Sequence, residues 1–343
     1  MSNVMVKKPD FSHLVRLSTS RGLYEHALFN EAREEHGYCV DDVARGFVLL
    51  CRETKQDQHL LALENIYLDF VLEAIAADGS CHNRMNAAGK WTDIPSTSDW
   101  WGRAVWATGV GAVHGSTPQI RNRSLEGFRL LTRLSTADRM ALAFAALGAG
   151  ELLILNPKEA AAREILLLAE LHLQPKVVDV NWLWPEPRLR YCNGAVVEAI
   201  LIAGWALRDM ALLERGLAML KFLLVVETHE GHFSVTPPEG RGSGDPKPAF
   251  DQQPIEVAAL VAAAARAWEY SGNPRWLVEV ERGWNWFLGS NDGGVQMFSP
   301  ETGGGYDGLT QTGPNLNQGA ESTISMLSTA QWAGKLQDLF LVS

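Results

Sequence analysis

Residues 250–270 read FDQQPIEVAALVAAAARAWEY, in which a carboxylate and two amides open a helix-like run of alanine and valine. A helix does not need so many polar groups at its start, and the same arrangement recurs along the chain. The openings lie at Asp42, Asp99, Asp138, Asn193, Asp251 and Asn317. Repeated openings at a spacing of about fifty residues indicate a repeat architecture.

The apolar stretches of the chain have helical periodicity and fall into two classes. One class is rich in small residues and follows a polar opening, as in residues 139–155, whereas the other is amphipathic, as in residues 212–226. Small residues permit close packing, so the first class predicts an inner layer of helices and the second an outer layer. The sequence lacks the alternation of strands and helices that is typical of a parallel sheet.

Short turns follow three of the outer helices, where Asp-Gly or Glu-Gly precedes an extended stretch that predicts a β-hairpin. These turns lie at residues 78–79, 230–231 and 292–293. Units of inner helix, outer helix and turn that close on themselves form an (α/α)6 toroid. The sequence therefore predicts an all-α, six-hairpin toroid with short β-hairpins in its loops. Residues 1–343 are expected to form a single domain, with residues 1–10 disordered.

Composition limits the possible function classes. The chain has 343 residues, of which 46% are hydrophobic, so it can bury a large core. Its net charge of −10 argues against a nucleic-acid partner, because phosphate binding requires concentrated lysine and arginine. The cysteines lack metal-ligand spacing, and no apolar run is long enough to cross a bilayer. No signal peptide is recognised, so we expect a cytoplasmic protein without a membrane partner.

Helix capping explains part of the pattern of polar openings. Asp, Asn, Ser or Thr at a helix N-cap satisfies a free backbone N–H, which contributes about 1 kcal/mol. Capping is the only role that we assign to Asp138. Asp41 and Asp42 are adjacent, although only one of them can cap a helix. Arg45 and Arg103 follow two openings at helical spacing and offer local ion pairs as a structural explanation.

Carboxylates also lie inside three of the apolar helices, at Glu198, Glu256 and Glu321. Burying an isolated carboxylate is costly unless it is paired or faces a wet cavity. Carboxylates in one shared cleft are typical of active sites. The set as a whole therefore favours a functional rim where the inner helices begin.

Two irregular segments beside inner helices supply further candidates. Residues 182–194, WLWPEPRLRYCNG, contain two prolines that argue against a helix. Their candidate side chains are Trp182, Trp184, Glu186, Arg188, Tyr191 and Asn193. The glycine-rich residues 299–322 contribute Tyr306, Asp307, Asn315, Asn317, Gln318 and Glu321. The GGG in this stretch lacks the strand and helix context of a phosphate-binding loop.

These motifs together resemble a family of bacterial (α/α)6-toroid, glycosidase-like proteins that occur alone or fused to glycosyltransferase domains. The motifs are HGYCVDDVAR at 36–45, DWWGRAVWATG at 99–109, the segment 182–194, FDQQPIEVAA at 250–259 and YDGLTQTGPNLNQGAEST at 306–323. The resemblance runs from Gly37 to Ser328 and implies a toroid fold in a carbohydrate context. Relatives read WFE and YDNA where this chain has WPEP and YCNG. Glu186 and Asn193 therefore carry over, whereas the Asp between them does not.

The main hypothesis is a glycoside hydrolase or phosphorylase that acts on a small oligosaccharide through paired carboxylates at the funnel of the toroid. The catalytic candidates are Asp42, with Glu256 or Glu186 opposite. The residues expected to bind substrate are Asp41, Tyr38, Asp99, Trp100, Arg103, Trp184, Arg188, Tyr191, Asn193, Asp251, Gln252, Asp307, Asn317, Gln318 and Glu321. Phosphate in place of water would require an arginine such as Arg188 or Arg103. No motif calls for a cofactor or a metal. The one protein partner that this hypothesis allows is a second copy of the chain, in a homodimer.

Two alternatives remain open. A sugar epimerase or isomerase of this architecture would use histidine as acid and base. The histidines in loops near the openings are His26, His36, His82, His229 and His232, and none of these lies in an inner helix. A non-catalytic glycan-binding domain derived from an enzyme is also compatible with the sequence, because the YCNG departure removes one carboxylate.

Overall fold

The computed structural model describes residues 9–54, 57–176 and 181–341. Within these ranges the chain forms twelve α-helices and five short antiparallel strand pairs. Of the segment 1–10 that the sequence predicts to be disordered, residues 1–8 lie outside the described residues. The all-α prediction is confirmed for the residues that the structure describes.

Six helices form the inner ring. They are α2 (Val40–Arg52), α4 (Asp99–His114), α6 (Arg139–Leu155), α8 (Asn193–Leu207), α10 (Pro254–Ser271) and α12 (Ala320–Leu341). Each inner helix packs against the next one in the chain, and α12 also contacts α2, which closes the ring. The predicted (α/α)6 toroid is thereby confirmed.

The outer layer consists of helices that each bury one face. They are α1 (Ser12–Leu17), α3 (Gln58–Glu73), α5 (Pro118–Leu131), α7 (Ala160–His172), α9 (Met210–Val226) and α11 (Arg275–Phe287). In α11 the buried side chains recur at helical spacing, at Trp276, Val280 and Trp284. The inner helices differ, since every residue of α6 from 141 to 153 is buried. This contrast is the one that the two classes of apolar sequence predict.

Glycines allow the inner helices to approach each other closely. A Cβ added to Gly109 of α4 would lie 2.5 Å from the backbone of Gly148 in α6. A Cβ added to Gly102 would meet the carbonyl oxygen of Ala141 at 2.2 Å. Since real Cβ atoms do not come so close to backbone, only glycine fits along this contact. The contact fixes α4, which carries several polar residues of the rim, against α6.

All five strand pairs lie in connections that precede an inner helix. The pairs are β1 (Ala27–Leu28) with β2 (Glu31–Ala32), β3 (Tyr38–Cys39) with β4 (Arg84–Met85), β5 (Arg188–Leu189) with β8 (Arg241–Gly242), β6 (Thr228–His229) with β7 (His232–Phe233), and β9 (Gly308–Thr310) with β10 (Gly313–Asn315). The connections from inner to outer helices are short by comparison. The long connections therefore crowd around the N-terminal ends of the inner helices, and we call this end of the toroid the rim.

Two further expectations concern cysteines and membranes. The four cysteines, which lack metal-ligand spacing in the sequence, are buried and form no disulfide. None of the helices in the described ranges has both the length and the apolar character that crossing a bilayer requires.

Candidate active site

Arg103 of α4 is fully buried and contacts several other side chains of the rim. Its Nε lies 3.2 Å from an oxygen of Asp41 and 3.3 Å from an oxygen of Asp99. Its guanidinium stacks 3.9 Å above the ring of Phe144 and donates a hydrogen bond to the hydroxyl of Tyr191. Its Nη1 has no hydrogen-bond partner within the described residues. A buried guanidinium with one free donor is suited to bind an oxygen of a ligand.

Asp41 and Asp99 differ from the buried carboxylates Asp42 and Glu256 in being accessible. Their side chains are 23% and 27% exposed, and each has one buried oxygen without a hydrogen-bond partner in the described part of the chain. Burial raises the pKa of Asp99 and outweighs the attraction of Arg103, which lowers it, while the charge of Asp41 raises it further. Two carboxyl groups therefore meet at Arg103, and burial favours the neutral form of one of them, Asp99.

A second arginine joins two of the predicted residues. Arg45 lies 2.6 Å from Asp42 and 2.9 Å from Glu321, so it bridges the first and last inner helices. The Asp42 side chain is almost fully buried, and Cys39 also donates to it at 3.2 Å. Burial raises the pKa of Asp42 to about 7, although Arg45 lowers it. Asp42 thus forms the local ion pair that helical spacing predicts, and Glu321, at 36% exposure, is the member of this group that solvent reaches.

The Glu256 side chain forms hydrogen bonds to the start of a neighbouring helix. Its carboxylate accepts hydrogen bonds from the backbone N–H groups of Cys192 and Asn193 and from the Asn193 side chain, at 3.3 Å for the last. Burial raises the pKa of Glu256 to about 8, and the charge of Glu227 adds to this effect. Glu256 of α10 therefore caps the adjacent inner helix α8, and Asn193 contributes to this cap.

The segment 182–194 places its candidates apart from Arg103, except for Tyr191. Glu186 lies 3.3 Å from Arg139 at the start of α6, and Arg188 lies 2.8 Å from Asp245. Trp184 is buried in the core. These contacts hold the segment on the rim, and they leave Glu186 half-exposed.

Most of the remaining candidates are held by local structure. Asp307 accepts hydrogen bonds from the Gly319 N–H and the Ser322 hydroxyl, and Asn317 accepts one from the Phe29 N–H at 2.9 Å. Gln318 accepts from Thr302 at 2.5 Å. The Trp100 ring N–H donates a hydrogen bond to the Cys81 carbonyl, and the ring of Tyr38 stacks on that of Tyr24. The backbone of Gln252 pairs with that of Leu309. Asp251 is exposed. Asp138 caps α6, which confirms the role predicted for it.

A cavity of about 1080 Å³ runs inside the ring from the two rim arginines to the opposite end of the inner helices. There Glu151 accepts a hydrogen bond from Arg266 and lies 3.3 Å from His114. Arg52 lies 3.5 Å from the same carboxylate. The attraction of Arg266, followed by that of His114 and Arg52, lowers the pKa of Glu151 despite its burial.

Two tryptophans flank this charged cluster. The guanidinium of Arg52 lies 5.9 Å from the ring of Trp106 and 5.9 Å from that of Trp332. Sequence reasoning missed the cluster, although a signal existed: Glu151 and Arg266 are single charges within long apolar runs. Flat aromatic faces next to charged groups are typical of sugar-binding cavities.

Among the described residues, two groups bring three potential metal ligands within 4.8 Å of one another. One is His229, His232 and Asp292. The other, formed by Glu25, Cys39 and Asp42, suits a metal poorly. Asp42 is paired with Arg45 at 2.6 Å and Glu25 with Arg84, so two of its three carboxylate and thiol ligands already have cationic partners.

Comparison with known proteins identifies the architecture. No protein-family model matches the chain, and neither does any curated protein sequence. Among solved structures, a sugar epimerase from a ruminal bacterium is 14% identical with a TM-score of 0.69, over 93% of this chain and 94% of that one. A cellobiose 2-epimerase from Spirochaeta thermophila is 12% identical with a TM-score of 0.68, over 96% of this chain and 93% of that one.

A glycoside hydrolase family 76 α-mannanase from Bacteroides thetaiotaomicron is also similar. It is 12% identical with a TM-score of 0.66, over 96% of this chain and 95% of that one. At these identities the likeness shows the fold alone. The chain is therefore an (α/α)6 toroid that resembles enzymes acting on sugars. Its membership of a bacterial family whose members occur alone or fused to glycosyltransferase domains stays a prediction.

Proposed function

We propose that the protein is a glycoside hydrolase that acts on a small oligosaccharide at the rim of the toroid. The observation that carries the proposal is the pair of accessible carboxylates, Asp41 and Asp99, that converge on the buried Arg103. Glycosidases need two carboxyl groups, one that protonates the leaving oxygen and one that acts as nucleophile or base. The proposed place of action is the cytoplasm.

In this proposal Asp99 is the acid and Asp41 the second carboxylate. The raised pKa of Asp99 favours its protonated form, which an acid requires. Both side chains contact the same nitrogen of Arg103, at 3.2 and 3.3 Å, so the contacting oxygens are close together. Such an arrangement fits the separation of about 5–5.5 Å in retaining glycosidases better than the separation of about 6.5–9.5 Å in inverting ones.

The catalytic candidates from the sequence take supporting roles here. The side chain of Asp42 is 3% exposed and paired with Arg45, while Glu256 is occupied as a helix cap. Neither can reach a sugar without giving up its buried partners, which is costly. Glu186 is accessible but lies beside Arg139 rather than Arg103. We therefore place the chemistry at Asp41 and Asp99 and substrate binding at Arg103, Tyr191 and Glu321.

The test is product formation from a panel of manno- and gluco-oligosaccharides, with and without phosphate, followed by NMR of the new anomeric centre. Retention of configuration in water is the expected result, and dependence on phosphate would identify a phosphorylase. Asp99→Asn should lower kcat by about 10²–10⁴-fold, which is the usual contribution of general acid catalysis. Asp209→Asn, at the cap of an outer helix, is the matched control and should leave kcat unchanged. Unchanged turnover in both Asp99→Asn and Asp41→Asn would refute the assignment.

A second candidate function, epimerisation or isomerisation of a sugar, is favoured by one observation. The Nδ1 atoms of His26 and His36 lie 2.9 Å apart beside the rim, and their side chains are 48% and 33% exposed. Two such rings can exchange a proton, as acid and base catalysis at a sugar carbon requires. The same NMR spectra decide between the two functions, because an altered but uncleaved sugar, lost in His26→Ala, would establish this one. Saturable binding without any new product would instead indicate a non-catalytic glycan-binding domain.

A further inference from the structure

The hairpin formed by β6 and β7 places two histidines on the same side of the chain. The sequence His-Glu-Gly-His turns at Glu230 and Gly231, whose φ angles are 48° and 89°. Two central residues with positive φ are typical of the tight turns that join antiparallel strands. His229 and His232 are therefore direct cross-strand partners, and side chains in such a pair lie close together.

A carboxylate from another connection meets these two rings. An oxygen of Asp292, Oδ1, lies 3.2 Å from Nδ1 of His229 and 2.9 Å from Nε2 of His232. The Asp292 side chain is only 2% exposed, whereas the histidines are 30% and 19% exposed. The three potential ligands thus lie close together, with Asp292 buried and the two histidines accessible to solvent.

The three ligand atoms lie close enough together to share a metal ion, since all are within 4.8 Å of one another. Imidazole nitrogens and carboxylate oxygens bind zinc at about 2.0–2.2 Å, which in a tetrahedral site places neighbouring ligand atoms about 3.3–3.6 Å apart. The separations of 2.9 and 3.2 Å are shorter than this, so small outward rotations of the side chains would admit the ion. Two imidazoles with one carboxylate favour first-row transition metals over magnesium or calcium, which prefer ligand sets made of oxygen.

A buried neighbour holds the Asp292 carboxylate in place through a hydrogen bond, as outer residues hold the ligands of metal sites. Gln252 is fully buried and donates from Nε2 to the other Asp292 oxygen at 2.6 Å. Its own side-chain oxygen has no hydrogen-bond partner in the described part of the chain. Its backbone pairs with Leu309 of β9. Outer partners of this kind orient a ligand and commonly change metal affinity when they are removed.

We propose that His229, His232 and Asp292 form a binding site for a divalent transition-metal ion, with Gln252 as its outer-shell partner. The ion joins the β6–β7 hairpin to the turn that follows α11 and, through Gln252, to the start of α10 and to β9. The site lies outside the large cavity, and its role is to hold together two rim connections, the one between α9 and α10 and the one between α11 and α12. It is independent of the proposed hydrolase activity.

The test uses the untagged full-length chain after treatment with EDTA. Titration calorimetry with Zn²⁺ and with Co²⁺ should show one equivalent of binding, and bound Co²⁺ should develop visible absorption bands. His232→Gln and Asp292→Asn should weaken binding by at least about tenfold, and Gln252→Ala by about 10–100-fold. His36→Ala is the matched control, because His36 belongs to the other histidine pair, and it should leave the affinity unchanged.

Three results would overturn the proposal. The first is the lack of saturable binding of either ion to a chain whose circular dichroism is native. The second is full binding by a folded His232→Gln variant. The third is loss of binding in His36→Ala alone, which would assign the ion to the pair of His26 and His36. Circular dichroism of each variant separates loss of the ligand from loss of the fold.

Discussion

Replacing Gly109 by alanine should destabilise the toroid, although alanine is the better helix former. In the middle of a helix this change contributes about 1 kcal/mol in favour of folding. The added Cβ, however, would lie 2.5 Å from the backbone of Gly148, whereas ordinary contact begins at 3.4 Å. The helices α4 and α6 must therefore move apart by about 1 Å, because backbone cannot rotate away as a side chain can.

Overpacking of this kind costs about 1–3 kcal/mol, and contact with rigid backbone places this case at the upper end. We expect a net loss of about 1–2 kcal/mol in the free energy of unfolding, measured by urea denaturation with the m-value unchanged. Activity should also fall, because α4 carries Asp99 and Arg103, whose guanidinium stacks 3.9 Å from Phe144 of α6.

Gly334→Ala is the matched control for this prediction. Gly334 lies within α12, and a Cβ added there would meet no atom within 4 Å. This variant should be more stable than the parent by about 0.5–1 kcal/mol, since only the helix propensity changes. If Gly109→Ala and Gly334→Ala are stabilised by similar amounts, close approach of the inner helices does not limit this fold, and the reasoning fails.

Two further predictions concern buried carboxylates. Glu151→Gln should lower the free energy of unfolding by about 1–3 kcal/mol, because it removes the charge that Arg266 and Arg52 share, while Glu198 and Glu269 still pair with Arg266. The exposed Glu126→Gln should change it by less than about 0.5 kcal/mol in the same urea experiment. Burial, together with Glu227, raises the pKa of Glu256 from 4.5 to about 8, so the folded chain keeps a proton that the unfolded chain releases. The free energy of unfolding should therefore decrease as the pH rises from about 4.5 to about 8. The urea midpoint of Glu256→Gln should decrease less over that interval. If the variant and the parent lose stability equally with pH, the burial argument is contradicted.

The two ends of the cavity differ in their chemistry. At the rim, accessible carboxylates surround Arg103, and long connections with strand pairs enclose them. At the opposite end, Glu151 joins Arg266 and Arg52 between two tryptophans. Long connections are the usual place for catalytic groups on a rigid scaffold, and this is the reason why we assign the chemistry to the rim.

Several features of the protein could be predicted from sequence because they depend on neighbours along the chain. Helical periodicity and the contrast between small and large side chains predict the two layers. Spacing of three or four residues predicts the ion pairs of Asp42 with Arg45 and of Asp99 with Arg103, at 2.6 and 3.3 Å. The cap formed by Asp138 follows from the same local geometry. The recurrence of polar openings also indicates that their side chains meet at one rim.

The roles of the buried carboxylates depended on the tertiary structure. Glu256 lies in an apolar helix like Glu198, but its partners are backbone N–H groups more than sixty residues away, and so it caps α8. Glu151 and Arg266 are 115 residues apart in the chain and meet inside the ring. Asp292 joins two histidines of another connection in the same way. Local sequence sets the helices because backbone geometry is periodic. Burial and charge at each side chain depend on helices that are distant in sequence, and only the closed toroid brings these together.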